Sequence, residues 1–181
     1  MLRMTRTTNP KLGAKELRAS QPVEADLKKI KRRQIYIICD NILDAYNIGS
    51  IFRLADAVDA AKIYLCGQTQ TPPYHRIAKA AVGTDKWVPW EKVESAVEAI
   101  KRVKSRESKC KVFAIEQGKG SVDYRKVEFK EPVAFVIGHE TTGVSRSAIK
   151  EVDEMIEIPM FGVNKSLNVV ISLAIILYKS I

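Results

Sequence analysis

Five short apolar runs constrain the fold of this 181-residue chain more than any other feature. They cover residues 35–39, 62–66, 111–116, 132–137 and 155–158. A run that is apolar at consecutive positions is typical of a strand buried on both faces of a sheet. Stretches with helical periodicity lie between these runs. The alternation predicts an α/β fold, in which a mostly parallel sheet is flanked by helices.

The helical stretches begin at polar residues that suit helix N-caps. We expect helices over residues 48–58, 76–81, 91–106, 145–152 and 166–179, of which three start at Asn47, Ser145 and Ser166. Within the first helix, Asn47, Ser50 and Arg53 follow one another at a spacing of three residues. This spacing predicts a polar stripe on one side of an otherwise apolar helix.

The formal charge of +9 is concentrated at the N-terminus. Residues 1–33 contain 10 Lys and Arg against 3 Asp and Glu, whereas the remainder is nearly neutral. We expect a basic arm over 1–33, partly disordered or folded as a short helix, joined to a single domain over 34–181. Such an arm is a common arrangement for binding nucleic acid, although a solubilising tail has the same composition.

Composition argues against several classes of protein. Hydrophobic residues make up 46% and charged residues 28%, as in ordinary globular domains. The longest apolar run, residues 169–178, is too short to span a bilayer, and the N-terminus lacks the apolar core of a secretory signal. The three cysteines lie far apart and the two histidines form no cluster. We therefore expect a cytoplasmic protein with reduced thiols, no membrane association and no metal site.

Three polar loops are the candidate binding elements. They surround residues 47–53, 138–143 and 160–168, and ligands of open α/β sheets bind where such loops follow the strands. The last of them leads into a helix whose first turn offers unpaired backbone N–H groups, although an ordinary strand–loop–helix connection has the same features. His139 and Glu140 are candidate acid–base residues. A single side chain of this kind is more often a structural hydrogen-bonding group, and we favour that role for His139.

Familiar motifs for nucleotide binding and nucleophilic catalysis do not occur. Residues 118–123 lack the third glycine of a dinucleotide fingerprint, and the chain contains no phosphate-binding P-loop. A Gly-x-Ser-x-Gly nucleophile elbow is also absent from the sequence.

Three segments instead carry a family resemblance. They are NIGSIFRLADA at 47–57, GHETTGVS at 138–145, and IPMFG at 158–162 with SLNV at 166–169. In this order they resemble the motifs of the SpoU-type (TrmH-like) methyltransferases, the ribose 2′-O-methylating branch of the SPOUT superfamily. The segment GTDKWVP at 83–89 resembles the stretch between the first two motifs. The resemblance extends from residue 35 to the C-terminus.

The resemblance implies more than the residue patterns do. It implies a SPOUT fold, in which the C-terminal segment passes through an earlier loop to form a deep trefoil knot, a rare exception to unknotted topology. S-adenosylmethionine would bind in a bent shape at this knot, mainly through backbone atoms. The residues that the resemblance assigns to the cofactor are Glu116, Gly138, Ile158, Met160, Ser166 and Leu167. It also implies a homodimer with the active site at the subunit interface.

The catalytic residues implied by the resemblance are Arg53, Asn47, Glu140, Ser166 and Asn168. Arg53 would help to deprotonate the ribose 2′-hydroxyl or hold the adjacent phosphate. Because the pKa of an arginine lies above about 12, we favour phosphate anchoring and transition-state electrostatics; an ordinary solvated charge is the structural alternative. Asn47 would orient the arginine or the ribose, Glu140 would fix Asn47 or Arg53, and Ser166 and Asn168 would shape the pocket floor.

The expected function is S-adenosylmethionine-dependent 2′-O-methylation of ribose in tRNA or rRNA. Two alternatives stay open: a non-catalytic RNA-binding or ribosome-assembly factor with the knotted fold, and methylation of a base. The pattern of Asn47 and Arg53 favours ribose, and passive RNA binding does not require the catalytic set. Val170 stands where the family often has Ser or Thr, so one hydroxyl is expected to be missing near the pocket. Without a separate RNA-recognition domain, target recognition would depend on the arm and the dimer surface.

Overall fold

The architecture, seen in a computed structural model that describes residues 9–181, is built on one parallel sheet. Its strands are β1 (Arg33–Asp40), β2 (Ala60–Cys66), β3 (Trp90–Val93), β4 (Lys111–Ile115), β5 (Val122–Asp123), β6 (Val133–Gly138) and β7 (Glu154–Glu157). They lie in the order β3-β2-β1-β6-β4-β7-β5, and every neighbouring pair is parallel. The five predicted strands are confirmed, and the sheet contains two more, β3 and β5.

Seven α-helices accompany the sheet in the described part of the chain. They are α1 (Ala14–Ala19), α2 (Glu24–Lys29), α3 (Ala45–Ala57), α4 (His75–Ala81), α5 (Ala96–Arg106), α6 (Arg146–Ile149) and α7 (Val169–Lys179). Single 3-10 turns at Thr84–Lys86 and Tyr124–Lys126 complete the regular structure. None of the helices in residues 9–181 has the length and apolar character needed to cross a membrane.

Both faces of the sheet are buried, as the continuous apolar runs predict. Side chains alternate along β1, so Ile35 and Ile37 face one apolar layer while Tyr36 and Ile38 face the other. The first layer includes α3 and α7, and the second includes α5 and α6. The central strands therefore have no solvent-exposed face that could carry chemistry, and polar side chains collect at the strand ends.

The predicted helix over 91–106 starts later than its apolar pattern indicates. The helix begins at Ala96, and the Oγ of Ser95 caps it by accepting a hydrogen bond from the N–H of Glu98 at 3.2 Å. The residues before it form β3, which adds to the edge of β2. Val93 is buried in either arrangement, so the apolar pattern does not distinguish a strand from a helix here.

Two predicted N-caps are wrong. The N-cap of α3 is Asp44, whose carboxylate accepts from the N–H of Tyr46 at 2.8 Å, and Asn47 lies inside the first helical turn. The N-cap of α7 is Asn168 rather than Ser166, because the backbone is not helical until Val169. Asn47 and Ser166 therefore do not cap these helices, and their side chains are available for contacts with other loops. The Ser145 cap of α6 forms as predicted.

The described part of the basic arm folds against the domain. Residues 14–19 and 24–29 form the short helices α1 and α2, whereas the sequence predicts an arm that is partly disordered or folded as one short helix. The Asn9 side chain pairs with both the backbone N–H and the carbonyl of Lys31, at 3.0 and 3.1 Å. Further along, the indole N–H of Trp87 donates to the Ser20 hydroxyl at 2.8 Å. The expectation for residues 1–8 lies outside the described residues.

We expect Val82→Asn to raise the free energy of unfolding by about 1 kcal/mol. Val82 ends α4 in the left-handed region, at φ 59° and ψ 27°, where a β-branched residue is strained by about 1–2 kcal/mol and Asn is tolerated. Urea unfolding measures the change. Val163→Asn is the matched control, because Val163 is fully exposed, lies outside the helices and does not have a positive φ, so it should change stability by less than about 0.5 kcal/mol. A loss of stability in Val82→Asn would contradict the assignment of strain.

Candidate active site

A cavity of about 480 Å³, called the pocket below, opens at the carboxyl edge of β4, β6 and β7. Its volume lies within the range of small-molecule sites, about 300–1,000 Å³. All six residues predicted to bind the cofactor line it: Glu116, Gly138, Ile158, Met160, Ser166 and Leu167. Glu140 and Asn168 line it as well. The structure therefore brings together two of the three predicted loops and a fourth element, the end of β4.

Close backbone packing shapes one wall of the pocket. A Cβ at Gly138 would lie 2.1 Å from the carbonyl carbon of Gly143, so only glycine fits at the end of β6. The chain then turns back on itself, and His139 and Gly143 exchange two backbone hydrogen bonds at 3.1 and 2.9 Å. The His139 Nδ1 accepts from the N–H of Thr141 at 3.0 Å, which is the structural role favoured from the sequence.

Glu116 connects this turn to β4. One of its carboxylate oxygens accepts from the N–H of Val144 at 2.8 Å, and the other accepts from the N–H of Gln117 at 2.9 Å. Gly143 stands with φ 71° directly against the same carboxylate, which leaves no room for a Cβ. The Glu116 side chain is thus a structural part of the pocket wall, whereas the family resemblance implied mainly backbone contacts to the cofactor.

The three motifs meet through a chain of side-chain hydrogen bonds. The Asn47 amide N–H donates to Glu140 Oε1 at 3.0 Å, and the Asn168 amide N–H donates to Asn47 Oδ1 at 3.2 Å. These residues come from α3, from the turn after β6 and from the cap of α7. Glu140 therefore fixes Asn47, one of the two partners considered for it, and Asn47 in turn orients Asn168.

Glu140 also holds the start of α3. Its carboxylate accepts from the backbone N–H groups of Leu43 and Asp44 at 3.2 and 3.1 Å. Burial by itself raises the pKa of Glu140, but the hydrogen bonds from Asn47 and from backbone N–H groups outweigh burial, so the pKa lies below its ordinary value. Glu140 is therefore an ionised anchor at neutral pH and is poorly suited to act as a general acid.

Arg53 does not line the pocket. A step of three residues turns an α-helix by about 300°, which is less than a full turn. The side chains of Asn47, Ser50 and Arg53 therefore point in successively different directions around α3 and do not share one face. Accordingly, Asn47 is buried, Ser50 is half-buried and Arg53 is exposed. No side-chain hydrogen bond or ion pair links Arg53 to another residue within 9–181. The expected convergence of Asn47 and Arg53 on one pocket therefore fails within a single chain.

Sequence reasoning missed several pocket residues on α7 and the loop before it. Ser172 lines the pocket because it lies one helical turn after Asn168, a spacing that the sequence already contains. Val170 packs against the apolar core instead. The sequence therefore lacks a hydroxyl at Val170, but Ser172 provides one on the pocket side of the helix. Asn164 and Glu157 also line the pocket.

The charge of the pocket is strongly one-sided. Glu116, Glu140 and Glu157 line it, and none of the lining residues within 9–181 is Lys or Arg. Carboxylates at a partly dehydrated surface attract a cation and repel an anion. The pocket is therefore suited to a ligand with a positive charge and unsuited to a nucleotide phosphate. Within the described residues, no group of three or more His, Cys, Asp and Glu side chains is placed to hold a metal ion.

Comparison with known proteins gives this geometry a context. The profile of the SpoU rRNA methylase family matches residues 34–178. This chain belongs to that family. A relative from Aquifex aeolicus, named tRNA (guanosine(18)-2′-O)-methyltransferase, is 32% identical over 157 residues, which cover 83% of this chain and 70% of the relative.

Two solved structures of the family resemble the fold closely. The TrmH/SpoU tRNA-modifying enzyme of A. aeolicus superposes with a TM-score of 0.74 at 30% identity, covering 92% of this chain and 79% of that one. The SpoU methyltransferase AviRb of Streptomyces viridochromogenes, in complex with the cofactor AdoMet, superposes with a TM-score of 0.75 at 28% identity. The match covers 85% of this chain and 62% of AviRb, so these enzymes share its parallel sheet and flanking helices.

We expect Glu140→Gln to lower the free energy of unfolding at pH 7, and to lower it by progressively less as the pH is reduced from 7 toward 3.5. A pKa that is lower in the folded state contributes stability above the unfolded value, about 4.3, and this stability is lost as the pH falls through the folded value. Urea unfolding of both proteins across this range measures the difference. Glu128→Gln, at a carboxylate that is 79% exposed, controls for charge. A difference that is constant with pH would contradict the anchoring role.

Proposed function

We propose that the pocket binds S-adenosylmethionine and that the protein transfers the methyl group to a ribose 2′-hydroxyl of tRNA or rRNA. As a member of the SpoU family, the chain is an S-adenosylmethionine-dependent RNA 2′-O-methyltransferase. One observation carries the assignment to this pocket: the hydrogen-bonded chain from Glu140 through Asn47 to Asn168 stands at the rim of a cavity of cofactor size.

The charge of the pocket supports this cofactor. S-adenosylmethionine carries a sulfonium cation, and its demethylated product does not, so the three carboxylates of the pocket favour the methyl donor electrostatically. When bound, the cofactor would supply an electrophilic methyl group: a bond from carbon to the ribose 2′-oxygen would replace the bond from carbon to sulfur, and the hydroxyl proton would pass to solvent. Backbone groups around Gly138 and Leu167 are exposed to the pocket and can hold the uncharged parts of the cofactor.

The residues at the rim are positioned to hold the ribose. Asn168 is fixed twice, by capping α7 through its Oδ1 and by donating to Asn47 through its Nδ2. Ser166 is exposed beside it, and its hydroxyl makes no hydrogen bond within the described residues. We assign Ser166 to the approaching ribose and Asn47 with Glu140 to the support of this rim. Such fixed polar groups reduce the cost of orienting the substrate.

We also infer that the C-terminal segment forms the trefoil knot expected of the family. The loop between β7 and α7 lines the same pocket as the segments after β4 and β6, so the segments that would cross in such a knot lie close together. Tracing the chain in an experimental structure of the cofactor complex tests this, and a C-terminal segment that lies wholly outside the earlier loop would refute it.

Three buried, unpaired cysteines and an RNA substrate fit a cytoplasmic location.

Arg53 is best explained by a homodimer. Helix α7 is apolar over most of its surface, and it leaves Ile171 and Tyr178 exposed at 51% and 57%. Leu43 and Tyr46, at the start of α3, are also exposed, at 45% and 44%. A second copy that covers these side chains would bury apolar area and bring α3 of one subunit toward the pocket of the other. We propose that Arg53 acts there, on the phosphate beside the reacting ribose.

Calorimetry with S-adenosylmethionine tests the pocket, and Arg53→Ala tests the chemistry. We expect the variant to bind the cofactor like the wild type and to lose at least about a hundredfold in methyl transfer, the scale of one transition-state charge contact. Arg125→Ala, at an exposed arginine that pairs with Asp123, is the matched control. Absence of cofactor binding at high micromolar concentration would overturn the proposed function, and wild-type transfer by Arg53→Ala would overturn the role of Arg53.

A mixed dimer tests whether Arg53 acts across the interface. Leu167→Trp is expected to fill the pocket and abolish cofactor binding while leaving Arg53 intact. If the arginine acts in the partner subunit, mixing this variant with Arg53→Ala after reversible dissociation restores activity, because one of the two sites is then complete. If both sites stay inactive in mixed dimers verified by mass spectrometry, Arg53 serves its own subunit and the proposal is wrong.

A further inference from the structure

The N-terminal segment adds its positive charge to a surface of the domain instead of extending into solvent. We propose that α1, α4 and the exposed side of α3 together form one rigid surface that binds the phosphate backbone of the RNA substrate. This inference rests on the proposed function and adds the place where the RNA lies. The surface, called the cationic track below, is defined by Lys15, Arg18, Arg53, Arg76 and Lys79.

All five cations of the track are exposed and available. Lys15 and Arg18 lie on α1, Arg76 and Lys79 on α4, and Arg53 on α3. None of their charged groups takes part in an ion pair with a residue of the described chain, in contrast to Lys28 and Lys29 on α2. Exposed cations without local partners are the groups that can neutralise phosphates and release counterions.

Nearby acidic side chains are already engaged. Glu16, the only acidic residue of α1, accepts a hydrogen bond from the N–H of Gly13 at 2.6 Å. On α2, Glu24 and Asp26 pair with lysines of the same helix, at 2.7 and 3.3 Å. Helix α4 contains no acidic residue. Glu16 on α1 and Asp56 on α3 offset two of the five cations of the track, so the three elements that carry the track keep a net positive charge of three.

A tight junction fixes α1 beside the end of α4. A Cβ at Gly83, just after α4, would lie 2.4 Å from the carbonyl oxygen of Leu17, so the two backbones are in direct contact. Lys86 Nζ donates to the carbonyls of Arg18 and Ser20 at 2.9 and 3.0 Å, and Trp87 donates to the Ser20 hydroxyl. Because these bonds come from the domain, α1 is held in place before any RNA arrives, which reduces the ordering cost of binding.

The track leads toward the pocket. Helix α4 packs closely along α3, which carries Arg53. Arg53 lies six residues after Asn47, or about 9 Å along the helix axis at 1.5 Å per residue. Asn47 belongs to the rim of the pocket through its bonds to Glu140 and Asn168. In the dimer proposed above, where α3 of one subunit reaches the pocket of the other, a phosphate backbone that follows the track to Arg53 would bring a nearby ribose to the rim of the partner's pocket.

The surface fits RNA better than an anionic membrane. An interfacial membrane helix needs large apolar side chains next to its cations, and neither α1 nor α4 carries an exposed one. Helix α1 has six residues and α4 has seven, and neither presents an extended apolar face to solvent. Repeated cations without apolar neighbours are the pattern for contacts to phosphates, which position a nucleic acid without reading its sequence.

Neutral double variants test the track with bulk tRNA as the probe and without the methyl donor. We expect Lys15→Gln/Arg18→Gln and Arg76→Gln/Lys79→Gln each to weaken tRNA binding about tenfold or more at 0.1 M salt. Each should also reduce the slope of log Kd against log salt by about 1.5, the contribution of two phosphate contacts. Lys109→Gln/Lys130→Gln removes the same charge from exposed positions before β4 and β6, and it should bind tRNA nearly as the wild type does.

A second variant separates the docked position of α1 from its charge. Ser20→Ala/Trp87→Phe removes the hydrogen bond at the junction and keeps every cation, so we expect weaker tRNA binding, about threefold, with an unchanged melting temperature of the domain. Calorimetry with S-adenosylmethionine should give wild-type affinity for all of these variants, because none of the substituted residues lines the pocket.

The outcomes separate the track from the proposed function. If the wild type binds and methylates RNA but the α1 and α4 variants behave like the Lys109/Lys130 control, the track is wrong and the function stands. If the wild type binds no tRNA even at low salt, the RNA substrate itself fails. Tighter binding to phosphatidylserine vesicles than to tRNA, lost in the same α1 and α4 variants, would overturn the assignment of the track to RNA.

Discussion

The interaction on which the site depends is the acceptance of three hydrogen bonds by one carboxylate. Glu140 binds the backbone N–H groups of Leu43 and Asp44 and the amide of Asn47, and thus joins the turn after β6 to the start of α3. Asn168 extends the connection to α7. Without Glu140, the first turn of α3 would expose unpaired donors and the rim of the pocket would lose its common anchor. Stability and function therefore share the same bonds.

The parallel sheet makes this convergence possible. In a parallel sheet all strands end at the same edge, so loops that are far apart in the chain become neighbours when their strands are paired. Here β6 lies between β1 and β4, and β7 lies beside β4. The pocket forms at this edge, where the glycine turn after β6, the carboxylate after β4 and the loop after β7 meet. Close contact at Gly138 leaves the wall little freedom to move.

Charge is divided between the two functional regions. The pocket contains carboxylates and no lining cation, whereas the cationic track gathers arginine and lysine on α1, α4 and α3. This division suits a protein that holds a cationic methyl donor and a polyanionic acceptor at the same time, because each ligand is repelled from the region of the other. Arg53 is the member of the track that lies on α3, and its lack of a hydrogen-bond or ion-pair partner within the described residues is consistent with a contact to RNA or to a second subunit.

The amino-acid sequence by itself determined the fold class, the family and most of the pocket. Continuous apolar runs identified five strands because a strand that is buried on both faces has no polar side. The ordered motifs contain five of the six residues assigned to the cofactor, and all six line the pocket. Only the tertiary structure decided the caps at Asp44 and Asn168, the short strands β3 and β5, the folding of the arm and the position of Arg53. The start of α3, the two added strands and the folded arm depend on partners that are distant in the chain: Glu140 for α3, β2 and β7 for the added strands, and Lys86 and Trp87 for α1. Local patterns describe which residues prefer to be buried or helical, and they contain no information on which distant group will satisfy a given hydrogen bond.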